Sequence, residues 1–279
     1  MTAAASARPR GPYSLALSAR RCSDATRRFA DGAVTAALPG GGTGRAWQEP
    51  DGTVELRATD ADSLERLRSC LALDDDHSEF VARFRDDRLL GPSVRTLRGL
   101  RVVRVPTVAQ ALLRALCGQL VDWKSARSLE RRVITAASRP RPDRLHEPPT
   151  ELELGALSPA RLRAVGLHAR RAATLVRLCR TLELERLRGA STEAAADRLV
   201  RERGLGPWSA GVICLEGLGR PQVGLVGDLG LIKLCAALRA RPADAADTAE
   251  LLEPYGEWAG LASVYLLAGF ARGLVPLAA

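Results

Sequence analysis

The chain has 279 residues, 46% hydrophobic and 26% charged, enough for one large or two modest domains with their own cores. No apolar run reaches the roughly 18 residues that span a bilayer, which excludes a transmembrane helix. The net charge of +9, carried by 39 arginines and 2 lysines, fits a nucleic-acid partner, although ribosomes and anionic membranes attract the same charge.

Charge is unevenly placed. Residues 1–93 hold 13 basic and 14 acidic side chains, and residues 94–279 hold 28 and 18, so contact with a polyanion belongs to the second part. Cys22, Cys70, Cys117, Cys179, Cys214 and Cys235 are scattered without a CxxC pair and read as reduced, mostly core, residues. His77, His146 and His168 stand far apart, which argues against a catalytic zinc.

In chain order, MTAAASARPR is acid-free and Ala/Ser/Arg-rich, superficially like a transit peptide, but in so arginine-rich a chain residues 1–12 read as a disordered tail. YSLALSA, AVTAAL and TVELRAT alternate as half-buried strands do. Between the last two, LPGGGTGRAWQEPDG is a run of breakers that reads as hairpin loops. SLERLRSCLAL, opened by Asp62 and Ser63, predicts an amphipathic helix that continues through DDDHSEFVARFRDD and closes a small α+β domain over 13–93. Asp74, Asp75 and Asp76 read as a solvated acidic loop.

From residue 94 the pattern is helical. Thr107 caps a helix that meets a second near Gly118, with Gln119-Leu120-Val121 at the junction. On the residues alone Leu120 reads as a core leucine. A proline-rich linker follows, then Ser158 and Pro159 start a helix, and a glycine separates it from the next, which carries Arg170-Arg171. Ser191 opens the helix that leads into RGLGPWSAGVICLEGLGRPQVGLVGDLGLIK. There Gly204-Leu205-Gly206 and Pro207 predict a tight hairpin between two helices, whose glycines admit close backbone approach and whose second helix offers unpaired N–H groups to a phosphate. Asp228 precedes the apolar pattern Leu229, Leu231, Ile232, Leu234, as an N-cap does. Two further helical patterns end the chain.

The hairpin and its spacing to Asp228 resemble the helix-hairpin-helix DNA glycosylases, and within them the 3-methyladenine DNA glycosylase II branch, through Gly204, Leu205, Gly206, Trp208, Ala210 and Asp228. The resemblance implies an α+β fold: a small β-sheet-containing N-terminal domain, then a mostly α-helical, two-lobed glycosylase core over 94–279. It implies that Asp228 is the catalytic carboxylate, stabilising an oxocarbenium-like transition state and positioning water. Gly118-Gln119 resembles the family's Gly-Gln segment, so Leu120 would be the wedge in the DNA stack and Gln119 would fill the gap beside the extruded nucleotide. Trp208 would lend a π-face to the base, with Val212, Leu229, Tyr265 and Leu267 around it. Gly204, Leu205, Gly206 and Ser209 would meet the DNA backbone.

The family's lyase lysine falls at Trp208, and Lys124 and Lys233 match no lyase position, which implies a monofunctional enzyme that leaves an abasic site. No cofactor is implied beyond a structural sodium or potassium ion on the carbonyls of Val200, Arg203 and Leu205. A four-cysteine iron–sulfur cluster is excluded, because no cysteine follows Cys235. The expected substrate is double-stranded DNA carrying an alkylated purine, such as 3-methyladenine or 7-methylguanine. The aromatic-poor pocket leaves a deaminated or oxidised base open, and a non-catalytic lesion-binding module is the rival class. A monomer with no membrane partner, in the bacterial cytoplasm at the nucleoid, completes the expectation.

Overall fold

A computed structural model describes residues 3–277. Near the N-terminus, β1 (Ala3–Ala7), β2 (Arg27–Ala30), β3 (Ala33–Ala37), β4 (Thr43–Gln48) and β5 (Val54–Ala58) form one antiparallel sheet in the order β1-β5-β4-β3-β2. The helices are α1 (Leu15–Ala19), α2 (Ala61–Cys70), α3 (Ser78–Phe84), α4 (Gly91–Thr96), α5 (Val108–Gly118), α6 (Trp123–Ala137), α7 (Glu151–Ala156), α8 (Pro159–Ala164), α9 (Ala169–Thr181), α10 (Thr192–Val200), α11 (Pro207–Val212), α12 (Leu229–Arg239), α13 (Ala245–Leu252) and α14 (Ala259–Phe270). Among the described residues no helix is long and apolar enough to cross a membrane.

The sheet departs from the sequence expectation in several places, and β2 is one strand that no local pattern announced. Residues 3–7 are strand β1, not part of a tail, paired from Ala3↔Ala58 to Ala7↔Val54; Met1 and Thr2 of the expected tail lie outside the described residues. The open edge of β5 supplies backbone partners that no local pattern reveals. YSLALSA is not a strand but α1: Ser14 Oγ accepts from Leu17 N at 3.2 Å, and Leu15 and Ala19, four apart, both face the core. Within the breaker run, β4 pairs with β3 and β5. Its Gly44 is there for packing, since a Cβ would sit 2.8 Å from Leu67 Cδ2 of α2.

The helical core begins before residue 94. Phe80 of α3 is fully buried with its ring 5.1 Å from that of Tyr265 on α14, and Phe84, Leu90 and Val94 join the same apolar cluster. Aromatic burial outweighs proximity in sequence here. The six cysteines are buried and free.

A buried ionic cluster ties the sheet to the helices. Asp24, just before β2, pairs with Arg27 and with Arg114 of α5, each at 2.7 Å. Arg114 also meets Glu130 of α6 at 2.8 Å and Glu216 at 2.5 Å. Burial alone would raise the pKa of Asp24, but the guanidinium groups of Arg27, Arg114 and Arg127 hold it well below the usual carboxylate range.

Candidate active site

Three elements converge. The first is the α5–α6 junction, where α5 ends at Gly118 because Gln119 turns extended (φ −58°, ψ 121°) and Leu120 takes the left-handed conformation (φ +55°). A branched side chain pays strain for that conformation, and Leu120 gains no burial in return: it is 83% exposed. Asp122 then restarts the helix by accepting from Lys124 N at 3.0 Å and Ser125 N at 3.1 Å. The core position that Leu120 suggested in isolation is therefore not where it lies.

The second is the hairpin between α10 and α11. Gly204 has φ +97°, and a Cβ there would lie 2.6 Å from Thr174 Oγ1 of α9, so only glycine serves on both counts. Gly206 is extended and is the N-cap of α11, with Pro207 at its first position. Leu205 is a core side chain, so only its backbone reaches the outside. Ser209 is also buried, which removes its hydroxyl from a DNA contact; Gln119 Nε2 instead donates to Ser209 Oγ at 3.1 Å and to Gly204 O at 2.9 Å. Gln119 thus clamps the exposed loop to the hairpin.

The carbonyls expected to hold a cation do not form a free set. That of Arg203 accepts from Arg177 Nη2 at 2.8 Å, while Arg177 Nη1 pairs with Glu202 at 2.8 Å. One of the two lone pairs of that carbonyl is thus engaged by the side chain of an ion pair.

The third element is α12, capped by Asp228. Oδ1 accepts from Gly230 N at 2.7 Å and Leu231 N at 3.2 Å, and Oδ2 accepts from Trp208 Nε1 at 2.9 Å. All three partners are donors, which suits an acceptor-only carboxylate at a helix N-terminus. The indole is a strut: its opposite edge rests on α5, where a Cβ on Gly118 would lie 2.6 Å from Trp208 Cη2. Through this one side chain the exposed loop, the hairpin helix and the carboxylate share a fixed geometry. Composition and periodicity give no hint of the Trp208–Asp228 hydrogen bond.

The expected base-pocket residues divide. Leu229 is 42% exposed beside Asp228, and Leu267 of α14 lies over Gly230, where a Cβ would meet its Cδ2 at 2.5 Å. Val212, one turn beyond Trp208 on α11, is buried in the core. Tyr265 is not a pocket residue: it is fully buried, packs on Phe80 and donates its hydroxyl to Leu100 O at 3.1 Å. Among the described residues no cluster of three or more His, Cys, Asp or Glu could hold a metal ion. Beside the junction, Gln119, Leu120, His168, Arg170, Arg171, Thr174 and Gly204 line an open cavity of about 390 Å³.

No protein-family model matches the chain. It is 27% identical over 209 residues to the DNA-3-methyladenine glycosylase of Bacillus subtilis, covering 70% of this chain and 67% of that one. It is 31% identical over 182 residues to a probable bifunctional transcriptional activator/DNA repair enzyme AlkA of Mycobacterium tuberculosis, of which it spans 36%, using 64% of its own length. Among solved structures, a 3-methyladenine DNA glycosylase from Archaeoglobus fulgidus superposes with a TM-score of 0.81 at 18% identity, over 96% of this chain and 98% of that one. The 8-oxoguanine glycosylase/lyase of Clostridium acetobutylicum in complex with double-stranded DNA gives 0.78 at 16%, over 98% of each chain. At such identities the structural likenesses establish the fold.

Proposed function

We infer that the chain belongs to the helix-hairpin-helix DNA glycosylase superfamily, and we propose that it excises alkylated purines from duplex DNA by hydrolysis of the N-glycosidic bond. The observation that carries this is the Gly118–Trp208–Asp228 strut, which holds an exposed left-handed leucine, a glycine hairpin and a triply hydrogen-bonded carboxylate in one frame. Leu120 would enter the base stack, replacing part of the stacking lost when a nucleotide is extruded. The hairpin N–H groups at the start of α11 would grip a phosphate without reading sequence.

With the nucleotide extruded, cleavage puts positive charge on the sugar. The Asp228 carboxylate, already oriented by Trp208 and by α12, would stabilise that charge without reorganising. An alkylated purine leaves as a neutral base, so no strong acid is required. Water would complete the reaction at C1′, leaving an abasic site on an intact strand. This monofunctional course rests on Trp208 standing at the hairpin position where the family's lyases carry lysine; Lys124 and Lys233 are both exposed on α6 and α12. The scheme uses no cofactor.

The burial of Tyr265 favours a second substrate class. With that ring committed to the core, Trp208 is the aromatic side chain left among the expected pocket residues, beside apolar Leu229 and Leu267. A deaminated or oxidised base would suit such a pocket as well as a cationic one.

The deciding experiment is release of free base from methylated duplex DNA by the wild type and by Asp228→Asn. Release of methylpurines that falls at least about a hundredfold in the variant, the scale of losing one preorganised electrostatic group, with duplex binding kept, supports the reading. Borohydride should trap no covalent complex. Release from deaminated or oxidised substrates alone would transfer the assignment to the second class, and binding without release from any lesion would refute the enzyme.

A further inference from the structure

Three residues after Leu120, Trp123 opens α6 with its side chain 53% exposed. A tryptophan in water forgoes much of its burial energy, and this ring is held in place. The guanidinium of Arg127, anchored on Glu130 at 3.0 Å, lies 5.8 Å from the ring centroid, and that of Arg21 lies 5.9 Å from it. Arg21 belongs to the sheet-bearing part, in the turn after α1, and is exposed. Among the described residues no hydrogen bond or ion pair engages it, and the indole is its one charge-directed contact.

Three residues of chain reach at most roughly 10 Å, about three nucleotides along one strand at 3.4 Å each. A leucine inserted in the stack would therefore bring Trp123 and Arg21 onto the flanking sugar-phosphate backbone. A cation with no acidic partner beside a rigid, half-exposed aromatic is complementary to that surface in charge and in shape. We propose that Trp123 and Arg21 form an accessory DNA contact flanking the Leu120 loop, Arg21 on a phosphate and Trp123 against the adjoining sugar edge, so that the sheet-bearing part shares the DNA surface. This rests on the DNA-binding reading above.

The test is equilibrium binding to an undamaged duplex over a range of salt, with tryptophan fluorescence read in the same titrations. Arg21→Gln should lower the slope of log affinity against log salt by about one, the signature of one lost phosphate contact. Arg8→Gln, beside β1 at the opposite edge of the sheet and paired with Asp51 at 3.4 Å, should leave it unchanged. Trp123→Phe should abolish most of the fluorescence change that DNA induces. An unaltered slope in Arg21→Gln, an equal loss in Arg8→Gln, or a full fluorescence change in Trp123→Phe would each overturn the proposal. If the wild type excises base while the variants behave as it does, this contact alone is refuted; if the wild type does not bind duplex at all, the DNA reading falls with it.

Discussion

Asp228 shows how one residue can satisfy two demands. As an N-cap it contributes about 1 kcal/mol to α12, and its second oxygen, held by Trp208, is the one that the proposed reaction would use. Trp208→Phe removes the N–H donor together with the outer ring carbons that reach Gly118. A hydrogen bond to a charged group is worth about 1.5–3 kcal/mol. Single-turnover excision by Trp208→Phe should therefore fall roughly tenfold to a hundredfold, with KM for duplex little changed. Equal activity in this variant would show that the indole does not orient Asp228 for the reaction. Asp228 could be read in the sequence as an N-cap because an apolar helix follows, and its spacing to the hairpin carried the family resemblance that implies a catalytic role. Its partner could not, since donor and acceptor meet across the gap between α11 and α12.

Among elements, the hairpin depends most on a single residue type. Gly204→Ala would place a methyl against the β-branched Thr174 in a backbone conformation that costs alanine about 1 kcal/mol or more. The variant should lose about 1–3 kcal/mol of stability in urea unfolding and should lose duplex affinity further, because the Gly204 carbonyl that anchors Gln119 would move. Retained affinity would show that the hairpin does not grip DNA. Helices capped by Thr107, Ser158 and Ser191 could be read from the sequence, and each cap bond is present. Strands β1, β2 and β4 could not, because their pairing energy is non-local and their alanines and glycines carry little strand preference.

At the scale of the molecule, buried charge holds the parts together. Arg114→Met would leave Glu216 only the more distant Arg127 at 3.8 Å and weaken the compensation of Asp24 and Glu130; losing one member of a buried set typically costs about 3–5 kcal/mol, measurable by urea unfolding near neutral pH. Stability should also fall in mild acid. Burial drives the pKa of His77 down to about 4, against the opposite pull of Asp75. Between about pH 6.5 and 4 the unfolded chain takes up a proton that the folded chain refuses, so stability is lost as pH drops through that window, by at most about 3 kcal/mol. His77→Asn should flatten the profile there. Asp24, whose pKa is depressed, adds a loss only at lower pH, below its unfolded value near 3.8.

By itself the sequence determined what is local: helix starts through their caps, Asp228 among them, the hairpin through its glycines, and the net positive charge of the second part. Each of these is set within one or two turns of chain, where backbone sterics and side-chain capping decide. Only the tertiary structure decided which side chains meet. It turned residues 3–7 into an edge strand, drew Tyr265 into the core, committed Ser209 and Arg177 to the hairpin, and exposed Leu120 in a strained conformation. Those outcomes depend on close packing among segments distant in the chain, where a methyl group at Gly44, Gly118 or Gly204 would already collide with a neighbour.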